Sequence, residues 1–235
     1  MATMKQQREQ LVKSIQAHGV RNPLVLAAMR AVHRELFVPD HLRRKAYADT
    51  PHPIGSGQTI SQPFIVAFMI EALACTAARR CSRSAPGPAM PRPYSPTSRA
   101  KSSPSSALGS SPRRQLPISL RAGCGNVHIR HADGTEGWDD EAPFDAILVS
   151  AGAPDVPKPL VRQLKIGGHL VVPVGSDPRS QELVRVTRAG EDEFEREYIG
   201  GAHFVPLIGK EGWGTDARNL HLGDHQCGYL LRGIV

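Results

Sequence analysis

The chain has 235 residues, with 29 Lys and Arg against 22 Asp and Glu, a net charge of +7, 40% hydrophobic residues and 5% aromatic. That length accommodates one α/β domain with a substantial core. Its apolar runs fall short of the roughly 18 residues needed to span a bilayer, and residues 1–10 are polar, unlike a signal peptide, so the expected location is the cytoplasm.

Leu11, Val12 and Ile15 recur at helical spacing with Gly19 as a stop, and residues 23–36 carry apolar side chains every three or four positions, which predicts two helices. A Pro- and Gly-rich loop over residues 49–59 follows. Ser61-Gln62-Pro63 then reads as a helix start, with a hydroxyl able to cap the first amides and Pro in the first turn. This helix is predicted to run to about residue 74. Residues 81–120 hold eight prolines among Ser, Ala and Arg, without periodicity. Composition alone makes that stretch a disordered linker, yet a structureless loop of this length inside a compact domain argues against itself. Beyond it, strands are predicted at 126–130, 146–149, 170–174, 183–186 and 198–207. A helix at 157–164, ended by Gly167-Gly168, lies between them. Short β-branched strands alternating with a helix predict a mostly parallel sheet covered on both faces.

The positive charge is concentrated. Residues 72–132 contain no Asp or Glu but ten of the 29 basic residues, which leaves 19 basic against 22 acidic elsewhere. Cys75, Cys81, Cys124 and Cys227 form no CxxC pair, so free thiols rather than a metal site are expected. His131 and His203 lack partners at metal spacing and read as structural or exposed. Trp138 and Trp213 read as packing residues, and Asp145 as a turn or cap.

Several segments are similar to one family. They are Phe37-Val38-Pro39, Ala46-Tyr47-Ala48-Asp49, Pro53-Ile54-Gly55-Ser56-Gly57-Gln58-Thr59-Ile60-Ser61-Gln62-Pro63, Asp133-Gly134-Thr135-Glu136-Gly137-Trp138, Phe144-Asp145-Ala146-Ile147-Leu148-Val149, Ala151-Gly152-Ala153-Pro154 and the run from Gly167-Gly168 to Val174-Gly175. Over about residues 5–73 and 123–210 the chain resembles protein-L-isoaspartate O-methyltransferases. The resemblance implies an α/β, Rossmann-like, S-adenosyl-L-methionine-dependent methyltransferase sheet with N-terminal helices. It divides the chain into residues 1–74 (helices and acceptor loop), 75–121 (the anomalous segment) and 122–235 (the C-terminal half of the methyltransferase domain). It also implies methyl transfer from S-adenosyl-L-methionine to the carboxylate of L-isoaspartyl residues in damaged proteins or peptides. The ester then closes to a succinimide that partly hydrolyses to normal aspartyl. Ser61 would be the active-site residue, Thr59 and Gln62 would bind the acceptor, and Asp133 and Gly134 the cofactor. A monomer acting without metal, membrane or nucleic acid is expected. Gly55-Ser56-Gly57 suits a lid that admits a peptide, while Asp133-Gly134 also reads as a turn pair.

The family's glycine loop, whose bare amides approach the cofactor closely, is missing between residues 81 and 121. So is the acidic residue that ends its next strand. Reading the coding DNA from the third base of each codon accounts for both. From Arg80 onward one permitted translation is VLEVGAGSGYAAAVLA, a strand, a glycine loop and a helix start, and the codons that follow permit HVAGEVVAIER, a strand ending in Glu. Residues 75–121 are therefore expected to be a frameshifted stretch between two compensating indels, and a real shift would leave the chain as written unable to bind the cofactor. The rival reading is a non-catalytic remnant whose basic disordered insert binds anionic partners.

Overall fold

The computed structural model describes residues 2–55, 58–74, 80–86, 127–214 and 228–234. The anomalous segment outside 80–86, the lid residues Ser56 and Gly57, and Cys75, Cys124 and Cys227 lie outside the described residues.

Helix α1 (Met4–Ala17) starts from a capping box, in which Thr3 Oγ1 accepts from the Gln6 amide at 3.2 Å and Gln6 Oε1 from the Thr3 amide at 2.8 Å. It buries Leu11, Val12 and Ile15, as their spacing predicts. Helix α2 (Pro23–Ala31) is capped by Asn22 and stops short of the expected residue 36. Val32 turns extended, and Arg34–Leu36 forms a separate 3₁₀ turn. The loop then holds an unforeseen hairpin of β1 (His52–Gly55) and β2 (Gln58–Ile60). Helix α3 (Pro63–Ala72) packs on α1 and α2 through Ala67, Phe64 and Phe68. Its Glu71 carboxylate accepts from the amides of Arg21 and Asn22 at 2.7 and 2.5 Å, which locks α3 to the start of α2.

Seven strands form the main sheet in the order β4-β9-β3-β5-β6-β7-β8. They are β3 (Arg80–Pro86), β4 (Val127–His131), β5 (Phe144–Val149), β6 (Leu164–Asp177), β7 (Ser180–Arg188), β8 (Phe194–Ala202) and β9 (Gly228–Ile234). Only β3 with β5 and β5 with β6 pair in parallel, and the other pairs are antiparallel. The mostly parallel expectation thus fails, for two reasons. Strands β6 and β7 are joined by just Pro178 and Arg179, a connection that permits only antiparallel pairing. Strand β9, which no periodicity announced, runs between β3 and β4. The predicted helix at 157–164 is a shorter α4 (Lys158–Arg162), and Gly167-Gly168 lies inside β6 rather than ending it. Strand β8 ends at Ala202, so residues 203–207 of the expected strand are loop.

Both faces of β5 are covered. Ile147 and Val149 pack with Leu160, Leu164, Leu170 and Val172, while Ala146 and Leu148 pack with Met69, Leu73, Val171 and Leu183. This alternation by twos within an almost continuously apolar strand is what a sheet sandwiched between layers demands. Asp145, the polar exception, pairs with Lys165 at 2.9 Å.

Candidate functional site

The pairings give β3, β4, β5 and β6 one common direction, because β9 is antiparallel to both β3 and β4. Their carboxyl ends therefore share one edge of the sheet, where Pro86, the Asp133 turn and Ser150 emerge. The chain leaves β3 toward β4 on one side and returns as β5 on the other. Such a reversal opens a crevice at the carboxyl ends, the usual ligand position in open α/β sheets.

A cavity of about 310 Å3 lies beside this edge, lined by Gln58, Thr59, Ser61 and Gln62 from the hairpin and its exit, Ser150 after β5, and residues 201–205 at the end of β8 and just beyond it. All three residues expected to receive the acceptor thus line one cavity. Ser61 is half-buried, and its backbone carbonyl accepts from Arg34 Nη2 at 2.7 Å. Arg34 Nε donates to the Ala46 carbonyl at 2.8 Å, so one guanidinium pins the acceptor loop to the helical layer. Burial lowers the Arg34 pKa to about 10, against the pull of Asp49 and Tyr47, and it stays cationic at neutral pH. The expected capping by Ser61 does not occur. Asp49 serves instead, its Oδ1 accepting from the Phe64 amide at 2.8 Å and its Oδ2 from Gln62 Nε2 at 3.2 Å. A distant carboxylate does the capping, and no local pattern could have named it.

Below this loop, Tyr47 donates to Glu35 Oε2, and His33 contacts Oε1 at 3.0 Å. Burial alone would raise Glu35, but the hydrogen bonds from Tyr47, its own backbone and His33 prevail and hold its carboxyl below the ordinary value of 4.5. Burial and the Glu35 contact raise Tyr47 to about 12.

The far wall of the cavity was invisible to sequence spacing. Gln181 lies 4% exposed, its Oε1 accepting from the Phe204 amide at 2.8 Å and its Nε2 donating to the Pro178 carbonyl, which fixes residues 203–205. Gly152 permits this, since a Cβ there would lie 2.8 Å from the Gln181 carboxamide carbon. His203 lines the cavity and is exposed as expected, with Nδ1 donating to the Arg179 carbonyl at 2.8 Å, which leaves Nε2 as the ring's other hydrogen-bonding atom.

Asp133 follows β4 and makes an Asx turn. Its Oδ1 accepts from the Thr135 amide and hydroxyl at 2.8 and 2.7 Å, and its Oδ2 from the Lys210 amide at 2.9 Å. Gly134 is buried beside it. Trp213, expected to pack, also donates its indole N–H to the Gly152 carbonyl at 2.9 Å, and Gly152 bonds to Val205 and Leu207. One continuous strip, residues 205–213, thus joins the Asp133 turn to the acceptor cavity. Trp138 packs against the main cluster under Arg130. Among the described residues no group of His, Cys, Asp and Glu could hold a metal, and no helix is long and apolar enough to cross a membrane.

The family model for protein-L-isoaspartate(D-aspartate) O-methyltransferase matches residues 6–82 and 108–212. The chain belongs to this family. Protein-L-isoaspartate O-methyltransferase 1 of Rhodopseudomonas palustris HaA2 is 46% identical over 212 residues, 90% of this chain and 86% of that protein. The Syntrophus aciditrophicus protein-L-isoaspartate O-methyltransferase is 45% identical over 223 residues, 91% of this chain and 99% of its own. Two solved structures share the fold. One, a protein-L-isoaspartate O-methyltransferase, gives a TM-score of 0.66 at 21% identity, covering 87% of this chain and 67% of that one. The other, from Plasmodium falciparum, gives 0.56 at 18% identity over 86% and 98%, and is in complex with S-adenosyl-L-homocysteine. Between the two matched stretches, residues 83–107 are unmatched by the family model and lie inside the anomalous segment.

Proposed function

We propose that the chain is an S-adenosyl-L-methionine-dependent protein-L-isoaspartate O-methyltransferase whose methyl-donor half is encoded in a displaced frame. The observation that carries the acceptor half is one cavity beside the carboxyl ends of β5 and β8 that Thr59, Ser61 and Gln62 line together. An acceptor carboxylate is already ionised near pH 7 and needs no base. The protein's task is to orient it, and the Ser61 hydroxyl suits this by donating a hydrogen bond to one carboxylate oxygen. Thr59 and Gln62 flank the same space, and Arg34 holds Ser61 there through its carbonyl.

On the donor side the sequence departs from the family's pattern. Beyond β3 the sequence runs Pro86-Gly87-Pro88-Ala89-Met90-Pro91, and proline has no N–H to offer a cofactor. The Asp133 carboxylate, proposed with Gly134 for the cofactor side, already accepts three protein hydrogen bonds.

Position supports a frame displacement over residues 75–121. Strand β3 reads Arg80-Cys81-Ser82-Arg83-Ser84-Ala85-Pro86 yet is paired on both sides, by β5 and β9. A strand in that place should be apolar and free of proline. The displaced frame permits Val-Leu-Glu-Val-Gly-Ala from the position of Cys81, then the glycine loop. The division into residues 1–74, 75–121 and 122–235 follows from it. Resequencing the gene across codons 70–125 tests the idea, and third bases that cannot encode the glycine loop would refute it.

With the frame restored the chain is mildly acidic, which removes the motive for a polyanion-binding remnant. Our reading is a cytoplasmic monomer that acts on damaged proteins and peptides without nucleic acid. Methyl transfer to an isoaspartyl peptide but not to its aspartyl isomer is the activity to measure.

A further inference from the structure

One polar group in the acceptor cavity is unused by any role assigned so far. Gln58 is 2% exposed, lines the cavity beside Thr59 and Ser61, and its Nε2 has no hydrogen-bond partner among the described residues. Its neighbour amide is committed, since Gln62 Nε2 donates to Asp49. Buried amide donors are nearly always paired, because leaving one unpaired forfeits its hydration. An unpaired donor on a cavity-lining side chain is therefore open to pairing with an oxygen that arrives with a ligand.

We infer that Gln58 is a substrate-binding residue whose Nε2–H donates to a carboxylate oxygen of the isoaspartyl acceptor. The inference rests on the acceptor reading above. Hydroxyls at Thr59 and Ser61 can each turn either a proton or a lone pair toward a ligand, whereas an amide N–H can only donate. Gln58 thus gives the cavity a fixed preference for an acceptor atom. Among the described residues no Lys or Arg side chain lines the cavity and His203 is its one basic group, so amide and hydroxyl donors have a large share in selecting a carboxylate. The hairpin holds the residue in place: His52, paired with Ile60 across β1 and β2, is 7% exposed and donates from Nε2 to the Lys45 carbonyl at 2.7 Å.

The test is binding of a fluorescently labelled isoaspartyl peptide to the chain as it exists, by anisotropy, with the aspartyl isomer as control and thermal melting alongside. The variants are Gln58→Met, which keeps the volume and removes the donor, and Gln58→Glu, which keeps the shape and sets a negative charge against the carboxylate. Wild type is expected to prefer the isoaspartyl peptide. Gln58→Met should weaken that binding about tenfold, about 1.4 kcal/mol, without lowering the melting temperature, because no intramolecular bond is lost. Gln58→Glu should weaken it further. If the wild type does not distinguish the peptides, the acceptor reading fails. If it does, and either variant binds like wild type or loses binding only in step with melting, the Gln58 assignment is overturned.

Discussion

Gln163 organises the turn that follows β4, and removing its carboxamide should loosen that turn without touching the acceptor cavity. The side chain is 5% exposed, its Oε1 accepts from the Trp138 amide at 2.8 Å, and its Nε2 donates to the Glu136 carbonyl at 2.9 Å and to Asp139 Oδ1. In Gln163→Leu the Asp139 carboxylate is exposed and recovers water, while the half-buried Trp138 amide has no replacement partner. Counting about 1 kcal/mol for each of two backbone bonds and up to about 1 more for the stranded amide gives a loss of about 2–3 kcal/mol. For a chain of this size that is a fall of roughly 5–10 °C in Tm. Gly137 should respond alike. It sits at φ +74, and a Cβ there would lie 2.1 Å from Gln163 Oε1. Gly137→Ala is therefore strained twice over, and its cost should be less than additive with Gln163→Leu, because both disturb one contact. Urea unfolding of the two single variants and the double variant is the assay. A Gln163→Leu loss below about 0.5 kcal/mol, typical of a neutral surface site, or strict additivity, would refute the reasoning.

Arg34→Lys should weaken isoaspartyl-peptide binding several-fold and cost about 1–2 kcal/mol of stability, since an ammonium cannot hold the Ala46 and Ser61 carbonyls together as the guanidinium fork does; titration and melting read both effects. Ser61→Ala in a frame-restored chain should lower methyl transfer with little change in Tm, whereas Asp49→Ala should cost about 1 kcal/mol because it removes the cap of α3. Folding stability should depend on pH through Glu35 and Tyr47. With Glu35 held below its ordinary 4.5, its contribution is present above that value and lost as pH falls through the folded one. With Tyr47 raised to about 12, its contribution is present below its ordinary 10.0 and lost as pH rises toward 12. Tyr47→Phe should flatten both limbs in pH-dependent urea unfolding.

The helical layer was largely legible because Leu11, Val12 and Ile15 repeat at helical spacing and all three are buried. Strand β5 was legible for a similar reason, being apolar on both faces. Short-range patterns failed where distant residues decide. Asp49 caps a helix that begins at residue 63, Gln181 shapes a wall built from residues 203–205, and β9 pairs with strands at 80–86 and 127–131. Thr59, Ser61 and Gln62 could be named because they fall in the contiguous block that carries the family resemblance, while Ser150 and His203 join them only when the sheet edge and hairpin come together. Asp133 illustrates the reverse case, since the same pair of residues serves a turn and a binding loop equally well in sequence.

The central claim is that a working acceptor site stands beside a donor site written in the wrong frame. Methyl transfer from labelled S-adenosylmethionine to an isoaspartyl peptide, measured in parallel for the chain as written and for the frame-restored chain, tests it most directly. The account predicts transfer by the restored chain to the isoaspartyl peptide and not to its aspartyl isomer, none by the chain as written, and the same peptide affinity in both. Equal transfer by the two chains, or none by the restored one, would contradict it.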